Sequence, residues 1–261
     1  MSRYLDREKY FLELAETSGR FYKDYVGRFK TIGKDTRIME IGCGEGGNLL
    51  PFAQAGCTVF GVDIAENKIR NAEKFFSARG AGGTFLCADF ITAPPLPELF
   101  DIIIIHDVIE HIEPQFKTSF FTGIRKWLKP DGIVFFGFPA WQMPFGGHQQ
   151  ICASGICSRM PFMHLLPAKI YGACLRMAGE PQFRIDELLS IKRSGMTVER
   201  FEKLSRETGF GIADRTLWFI SPHYQAKFNL KPRRLLNPVA MIPWLRNFFS
   251  TSCFYILTMK G

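Results

Sequence analysis

The chain has 261 residues and a net charge of +8, with 46% apolar and 22% charged residues, a balance that excludes a disordered or fibrous protein. No apolar run approaches the roughly 20 residues of a membrane helix, and the start, Ser2-Arg3-Tyr4-Leu5-Asp6-Arg7-Glu8-Lys9, is charged where a signal peptide needs an apolar core. The cysteines (Cys43, Cys57, Cys87, Cys152, Cys157, Cys174 and Cys253) are odd in number and scattered, so reduced thiols in a cytoplasmic protein are expected.

Apolar residues recur at helical spacing from Asp6 to Phe29, which predicts an N-terminal helical cap over residues 1–30. Strands and helices then alternate. Thr36–Ile41 reads as a first strand, followed by a Gly-rich turn and a helix over Asn48–Ala55. Thr58–Asp63 is a second strand, Ala65–Arg79 a helix and Gly83–Ala88 a third strand. Phe100–Ile105 is a fourth, and its run Ile102-Ile103-Ile104-Ile105 suits a strand covered on both faces. A helix over Pro114–Leu128 leads into a fifth strand, Gly132–Phe138. This alternation predicts an α/β core over residues 31–138 built on a doubly wound parallel sheet.

The pattern lapses over 139–196, which reads as a lid or substrate insertion with helical pieces. It resumes with Thr197 as a helix N-cap, a helix that Gly209 ends, and a sixth strand over Arg215–Ile220. Residues 197–261 thus complete the core sheet, with a basic insertion at 222–249 before a closing strand, Cys253–Met259.

The charge is uneven. Between Trp141 and Arg184 stand Arg159, Lys169, Arg176 and Arg184 against Glu180 alone. Between Pro222 and Phe249 stand Lys227, Lys231, Arg233, Arg234 and Arg246, with no Asp or Glu. Both segments are also rich in Phe, Met, Leu and Pro. A basic, apolar surface implies an anionic partner or a membrane interface, so peripheral membrane contact through 222–249 is an expectation.

Glu40-Ile41-Gly42-Cys43-Gly44-Glu45-Gly46-Gly47 ends the first strand and opens a helix. Glycines there let the backbone turn tightly and approach a ligand that faces the helix N-terminus. Gly42, Gly44 and Gly47 also satisfy G-x-G-x-x-G, so this fragment alone does not separate a nicotinamide dinucleotide from another adenosine cofactor. Asp63, at the tip of the second strand, offers a carboxylate to both hydroxyls of an adenosine ribose.

With Val62-Asp63-Ile64, Cys87-Ala88-Asp89-Phe90, Phe100-Asp101, His106-Asp107-Val108-Ile109-Glu110-His111-Ile112 and Leu128-Lys129-Pro130-Asp131-Gly132, the chain resembles the class I S-adenosylmethionine-dependent methyltransferases, in the branch of the ubiquinone-biosynthesis O-methyltransferases. The resemblance covers roughly residues 30–140. It implies a Rossmann-like sheet of seven strands, six parallel and the last antiparallel between the fifth and sixth. It also implies S-adenosyl-L-methionine as cofactor and S-adenosyl-L-homocysteine as product. Glu40, Gly42, Cys43, Gly44 and Asn48 would line the methionine and ribose end, and Asp63 would take the ribose hydroxyls. Ile64 would pack on the adenine, Asp89 and Phe90 would address its polar edge, and His106 would lie near the sulfonium.

A sulfonium is already an activated donor, so the protein must chiefly align a nucleophile with it and exclude water. An oxygen acceptor also needs a base, and histidine titrates near neutral pH. His111 follows Glu110 after the fourth strand, and His148 lies in Phe145-Gly146-Gly147-His148-Gln149-Gln150 just past the fifth. These two are the expected catalytic residues; His164 and His223 read as structural. No grouping of Cys, His and carboxylates has convincing metal spacing; Glu110-His111 with Asp107 suggests a divalent cation at most by analogy with some catechol methyltransferases, and no metal is expected.

The acceptor expected is a small molecule, a saccharide or a lipid-linked compound, methylated on oxygen. Trp141, Met143, Phe145, Met160, Phe162, Met163 and Leu165 would line an apolar mouth. An RNA methyltransferase is the alternative that the basic surface favours. Against it, the chain has no recognisable RNA-binding module, and His106-Asp107-Val108-Ile109 replaces the N-P-P-[YF] segment of amino-methylating nucleic-acid enzymes, so nucleic acid is not the expected partner. A non-catalytic protein that binds the cofactor is the other alternative.

Overall fold

The computed structural model describes residues 6–94 and 97–260. Five strands run parallel: β1 (Arg37–Ile41), β2 (Thr58–Asp63), β3 (Thr84–Cys87), β4 (Phe100–His106) and β5 (Leu128–Phe138). Three more follow: β6 (Phe210–Ile220), β7 (Arg233–Arg234) and β8 (Ser252–Met259). The spatial order is β3-β2-β1-β4-β5-β8-β6-β7. β8 runs antiparallel between β5 and β6, as the resemblance implied.

Among the described residues the sheet has eight strands rather than seven. The addition, β7, is two residues of the basic insertion paired antiparallel to the outer edge of β6. Leu235 anchors it, donating its N–H to the Leu217 carbonyl at 2.8 Å and burying its side chain. Two expected strands are also longer. β5 begins at Leu128, which pairs with Phe100, and β6 begins at Phe210, directly after the left-handed Gly209.

The isoleucine run of β4 shows why the sheet needs covering twice. Alternate side chains of a strand point to opposite faces. Ile103 and Ile105 pack with Phe120, Phe121, Ile124 and Trp127 of α5 (Lys117–Trp127) and with Phe201 of α8 (Val198–Glu207). Ile102 and Ile104 pack on the other face with Phe11 of α1 (Arg7–Thr17), with Tyr25 of α2 (Lys23–Gly27), and with Phe52 of α3 (Leu50–Gln54). Phe75 and Phe76 of α4 (Glu66–Ser77) extend that second layer.

The helix expected over Asn48–Ala55 opens as a 3₁₀ turn at Gly47–Leu49, and only α3 is α-helical. Gly46 is left-handed (φ +80°) and Pro51 sits at the helix start, which suits a first turn without its own N–H donor. The Thr197 cap forms as read: its hydroxyl accepts from the Arg200 N–H.

Residues 139–196 carry three 3₁₀ turns, then α6 (Ala168–Met177) and α7 (Gln182–Ser194), around a small apolar cluster of their own that includes Tyr171, Leu175 and Leu188. The basic segment adds α9 (His223–Phe228), α10 (Asn237–Met241) and α11 (Leu245–Phe249). In an open parallel sheet, ligands bind beyond the carboxyl ends of the strands. β1, β4, β5 and β6 end, and β8 begins, on that one edge, beneath the lid segment.

Candidate active site

At the tip of β1, Glu40 is buried and its Oε1 accepts from Asn48 Nδ2 at 2.7 Å. Its other oxygen, Oε2, and Oδ1 of Asn48 are buried with no hydrogen-bond partner. Burial pushes the Glu40 carboxyl up to about 8, with Asn48 and His106 drawing it down and Asp63 pushing it up. Buried acceptors without donors are costly. A ligand ammonium carries three donors and no acceptor, which is what these two atoms lack.

The glycine loop earns its composition at Gly42. A Cβ there would meet Val108 Cγ2 at 2.4 Å, and its φ is +74°. Gly44, also left-handed, donates its N–H to Asp63 Oδ2 at 2.9 Å, while Ala65 donates to Oδ1 at 2.8 Å. Each Asp63 oxygen therefore keeps a second acceptor position, and Lys68 stands 3.8 Å away. Ile64, next in sequence, is 75% exposed, an uncovered apolar face beside Asp63. Asp89 is exposed and caps its own turn by accepting from the Ile91 N–H.

Two expected cofactor residues are corrected in part. The Cys43 side chain turns into the core beneath Gly61, and its N–H goes to the Val62 carbonyl at 3.0 Å, so Cys43 shapes the turn. The Phe90 ring packs inward on Phe120 and Trp127, with ring centroids 5.5 and 5.6 Å away, leaving only its backbone for the cofactor edge. Family position places a residue along the strand; it does not say which way the side chain turns.

His106 ends β4 fully inside the edge. Its ring stacks on Tyr22, centroids 4.9 Å apart, and its Nε2 lies 2.7 Å from the Tyr22 hydroxyl. A Cβ on Gly137 would collide with this ring, so β5 carries glycine there. Burial pulls the imidazole down, but Asp107, 3.3 Å from Nδ1, outweighs it and raises His106 above 6.5. Tyr22 was not among the expected residues. It arrives on a π-helical turn, Ser18–Tyr22, that reaches under the site, and Ser18 Oγ donates to the Asn48 carbonyl at 2.7 Å. The signal was a tyrosine counted as apolar on a helix face: a buried tyrosine hydroxyl needs a partner.

Asp107 is left-handed (φ +54°) and starts the segment that bends back over the edge. Its carboxylate is part-exposed; the desolvation it does meet works against charge, but His106 and then His148 hold it well below the usual range. The same segment carries Glu110 and His111. His148 approaches from the loop after β5 on Gly146 and Gly147, where any Cβ would strike the Trp141 carbonyl or His164. The His111 and His148 rings meet edge to face at 4.9 Å, and His148 Nε2 stands 3.5 Å from Glu110 Oε1. The fold thus brings the two expected catalytic histidines together, with Glu110 beside them.

His164 is buried, and its Nε2–H donates to the Trp141 carbonyl at 2.8 Å. His223 lies 3.3 Å from Thr17 Oγ1, so both hold structure. Met143 and Met163 are buried rather than lining the mouth. Beside the lid an open apolar cleft of about 510 Å³ is lined by Pro144, Phe162, Phe219, Leu245, Phe248 and Phe249. Arg246 is not part of the exposed basic surface: it is buried, with Nε 2.8 Å from Glu199 Oε1. Among the described residues, no helix is long and apolar enough to cross a membrane.

Residues 38–132 match the family described as a methyltransferase domain. The ubiquinone biosynthesis O-methyltransferase of Parvibaculum lavamentivorans is 29% identical over 102 residues, 39% of this chain and 40% of that protein. Phosphoethanolamine N-methyltransferase 1 of Zea mays is 31% identical over 172 residues, 64% of this chain and 33% of that protein. The matches thus span two-fifths or less of these curated relatives. A crystal structure of an S-adenosylmethionine-dependent methyltransferase from Clostridium acetobutylicum superposes with a TM-score of 0.58 at 11% identity, covering 95% of this chain and 92% of that one, a likeness of fold. Sheet order, the glycine loop with Asp63, the donor-seeking pair at Glu40 and Asn48, and the matched segment agree: residues 38–132 are a methyltransferase domain, and the likenesses support a class I S-adenosylmethionine-dependent methyltransferase.

Proposed function

We propose that the protein transfers a methyl group from S-adenosyl-L-methionine to a hydroxyl of a small-molecule, saccharide or lipid-linked acceptor. The observation that carries this reading is the pairing, on one edge of the sheet, of the unsatisfied Glu40–Asn48 acceptors with the Glu110–His111–His148 cluster. The cofactor supplies an electrophilic methyl on a sulfonium. Glu40 and Asn48 hold its amino group, Asp63 its ribose hydroxyls and Ile64 one face of its adenine. Tyr22 and His106 pack beside the reacting end and keep water from it. The Glu110–His111–His148 cluster activates the acceptor hydroxyl.

A lipid-linked acceptor is favoured within that class. The apolar cleft between lid and basic segment opens on the sheet edge that carries the cluster, and it offers carbon surface to a chain. Nearby, Leu236, Met241 and Trp244 are 73%, 75% and 69% exposed, with Lys231, Arg233 and Arg234 also exposed. Apolar side chains beside cations are what an anionic bilayer surface receives. The relative from Parvibaculum is named for O-methylation, which supports oxygen as the acceptor atom. The test is a screen of isoprenoid-linked, glycan and phenolic acceptors, read as methylated product with S-adenosylhomocysteine. Product from hydroxyl acceptors, lost in His148→Ala, supports the reading; methylation of RNA alone refutes it.

A further inference from the structure

Trp218, near the end of β6, packs on the sheet face that carries α1 and α2, where its ring meets Phe254 edge-on with centroids 5.7 Å apart. Its backbone is held as well, since the Trp218 carbonyl accepts from the Thr251 N–H at 2.8 Å. Across the β6–β7 pairing Arg234 lies opposite Trp218, and its guanidinium stands 5.8 Å from the centre of the indole ring. The indole nitrogen of this well-held side chain is buried and has no hydrogen-bond acceptor. An indole N–H can only donate, and a buried donor left unpaired destabilises the fold unless a ligand meets it.

Trp218 lines a cavity of about 460 Å³ together with Phe21, Gln225, Asn229, Lys231 and Pro232. That volume lies within the roughly 300–1,000 Å³ of small-molecule sites. Phe21, Pro232 and the indole face are apolar walls. Lys231 brings three donors and no acceptor, and the amides of Gln225 and Asn229 can turn either end inward. No acidic residue lines the cavity, and the segment 222–249 that forms most of it has no Asp or Glu. Among the described residues neither Lys231 nor Arg234 makes an ion pair, and both are exposed. The carbonyls at the end of α9 are already taken: Gln225 O accepts from the Asn229 N–H at 3.0 Å, and Tyr224 O from the Leu230 N–H at 3.2 Å. The protein thus offers this corner donors and positive charge, and no acceptor for the indole.

We propose that this cavity binds an organic phosphate monoester, with a phosphate oxygen accepting from the Trp218 indole N–H, Lys231 and Arg234 meeting the charge, and the ester group lying against Phe21 and Pro232. A neutral acceptor would satisfy the indole and leave two cations unmatched. A carboxylate brings one negative charge, whereas a phosphate monoester carries close to two near neutral pH. The planar fork of arginine also matches phosphate oxygens. The place of the cavity gives the ligand a route to the candidate active site: Phe21 directly precedes Tyr22, whose hydroxyl lies 2.7 Å from His106 Nε2. A bound ester therefore rests on the same turn that carries Tyr22 under the sheet edge. A soluble phosphate and the headgroup of a phosphatidic acid share this chemistry, and the experiment separates them. The site stands on its own residues and does not rest on the methyl-transfer reading.

The test follows the tryptophan indole N–H signals of the full ¹⁵N-labelled chain by nuclear magnetic resonance, the Trp218 signal being the one lost in Trp218→Phe. Phenyl phosphate is titrated at constant ionic strength, with phenol as the uncharged control and short-chain phosphatidic acid as the lipid form. The expected result is a saturable downfield shift of the Trp218 indole proton with phenyl phosphate, at about millimolar affinity or tighter, and none with phenol. Lys231→Ala and Arg234→Ala should each weaken binding about fivefold or more. Both side chains are exposed, so these variants keep the fold. A shift with phenyl phosphate assigns a site for a soluble ester; a shift with phosphatidic acid alone assigns it to a lipid headgroup. No shift with either, an equal shift with phenol, or affinity that both cation variants leave intact overturns the site.

Discussion

The side-chain amide of Asn48 donates to Oε1 of Glu40 at 2.7 Å, and this bond leaves Glu40 Oε2 and Asn48 Oδ1 buried without partners. One donor has been spent on two acceptor groups. Without a ligand the cluster keeps its balance by holding a proton on Glu40; with Glu40 ionised it is balanced only when a further donor, of the kind an amino acid's ammonium provides, is added.

Glu40 therefore reports cofactor arrival as a proton. With its carboxyl raised to about 8, Glu40 is largely protonated at neutral pH, and an ammonium beside it draws the value down. Binding at pH about 7 should release a proton, so calorimetric enthalpies should vary with the buffer's ionisation enthalpy. Glu40→Gln should abolish that dependence and weaken binding about tenfold or more. The sign for stability follows. The folded value lies above the unfolded 4.5, so wild-type stability should fall relative to Glu40→Gln as pH rises from 4.5 towards about 8.

Asp63→Ala removes the proposed ribose acceptor and also orphans the N–H groups of Gly44 and Ala65. Cofactor affinity should fall by about 1–3 kcal/mol, a factor of roughly 5 to 150. Asp63→Asn keeps one acceptor oxygen for those N–H groups, so it should unfold closer to wild type while still binding poorly. Equal affinity in all three proteins would place the cofactor elsewhere.

The exposed surface of the basic segment predicts salt-sensitive membrane binding. Wild type should co-sediment with vesicles rich in anionic lipid and not with neutral ones, and should dissociate at high salt. Met241→Ser with Trp244→Ser should cut anionic-vesicle binding about tenfold, because each loses an exposed apolar anchor and neither contributes to the buried core. Binding that ignores lipid charge would remove the segment from this role.

Glu199 ties the same segment to the core. Burial works against its charge, but Asn247 Nδ2, the Trp244 N–H and Arg246 Nε donate to it and hold it down to about 2. The folded value is below the unfolded one. Its contribution is complete above about 4.5 and is lost as pH falls from there towards about 2. Thermal unfolding followed over that range should show a shallower loss in Glu199→Gln than in wild type.

The sheet was legible because its signals are local. The isoleucine run of β4 and the positive-φ glycines of the loop announce their own backbone, and the Asp63 tip follows from strand length. Side-chain direction is not local. Cys43 and Phe90 sit at the motif positions that cofactor-binding residues occupy, yet both turn into the core because the packing of Gly61 and Trp127 leaves room there. Tyr22 was hidden by its own amphipathic character, and β7 by its length of two residues. The meeting of Glu110 with His148 depends on two loops closing over one edge, which no single stretch of sequence encodes.

The most direct test of the central claim is a calorimetric titration of the purified chain with S-adenosyl-L-methionine, with NAD as the competing candidate. Saturable binding of S-adenosylmethionine, about one per chain and dependent on Glu40 and Asp63, with no heat from NAD, is the predicted result. Binding of NAD instead, or binding of S-adenosylmethionine that survives both substitutions, would contradict the assignment of this edge of the sheet.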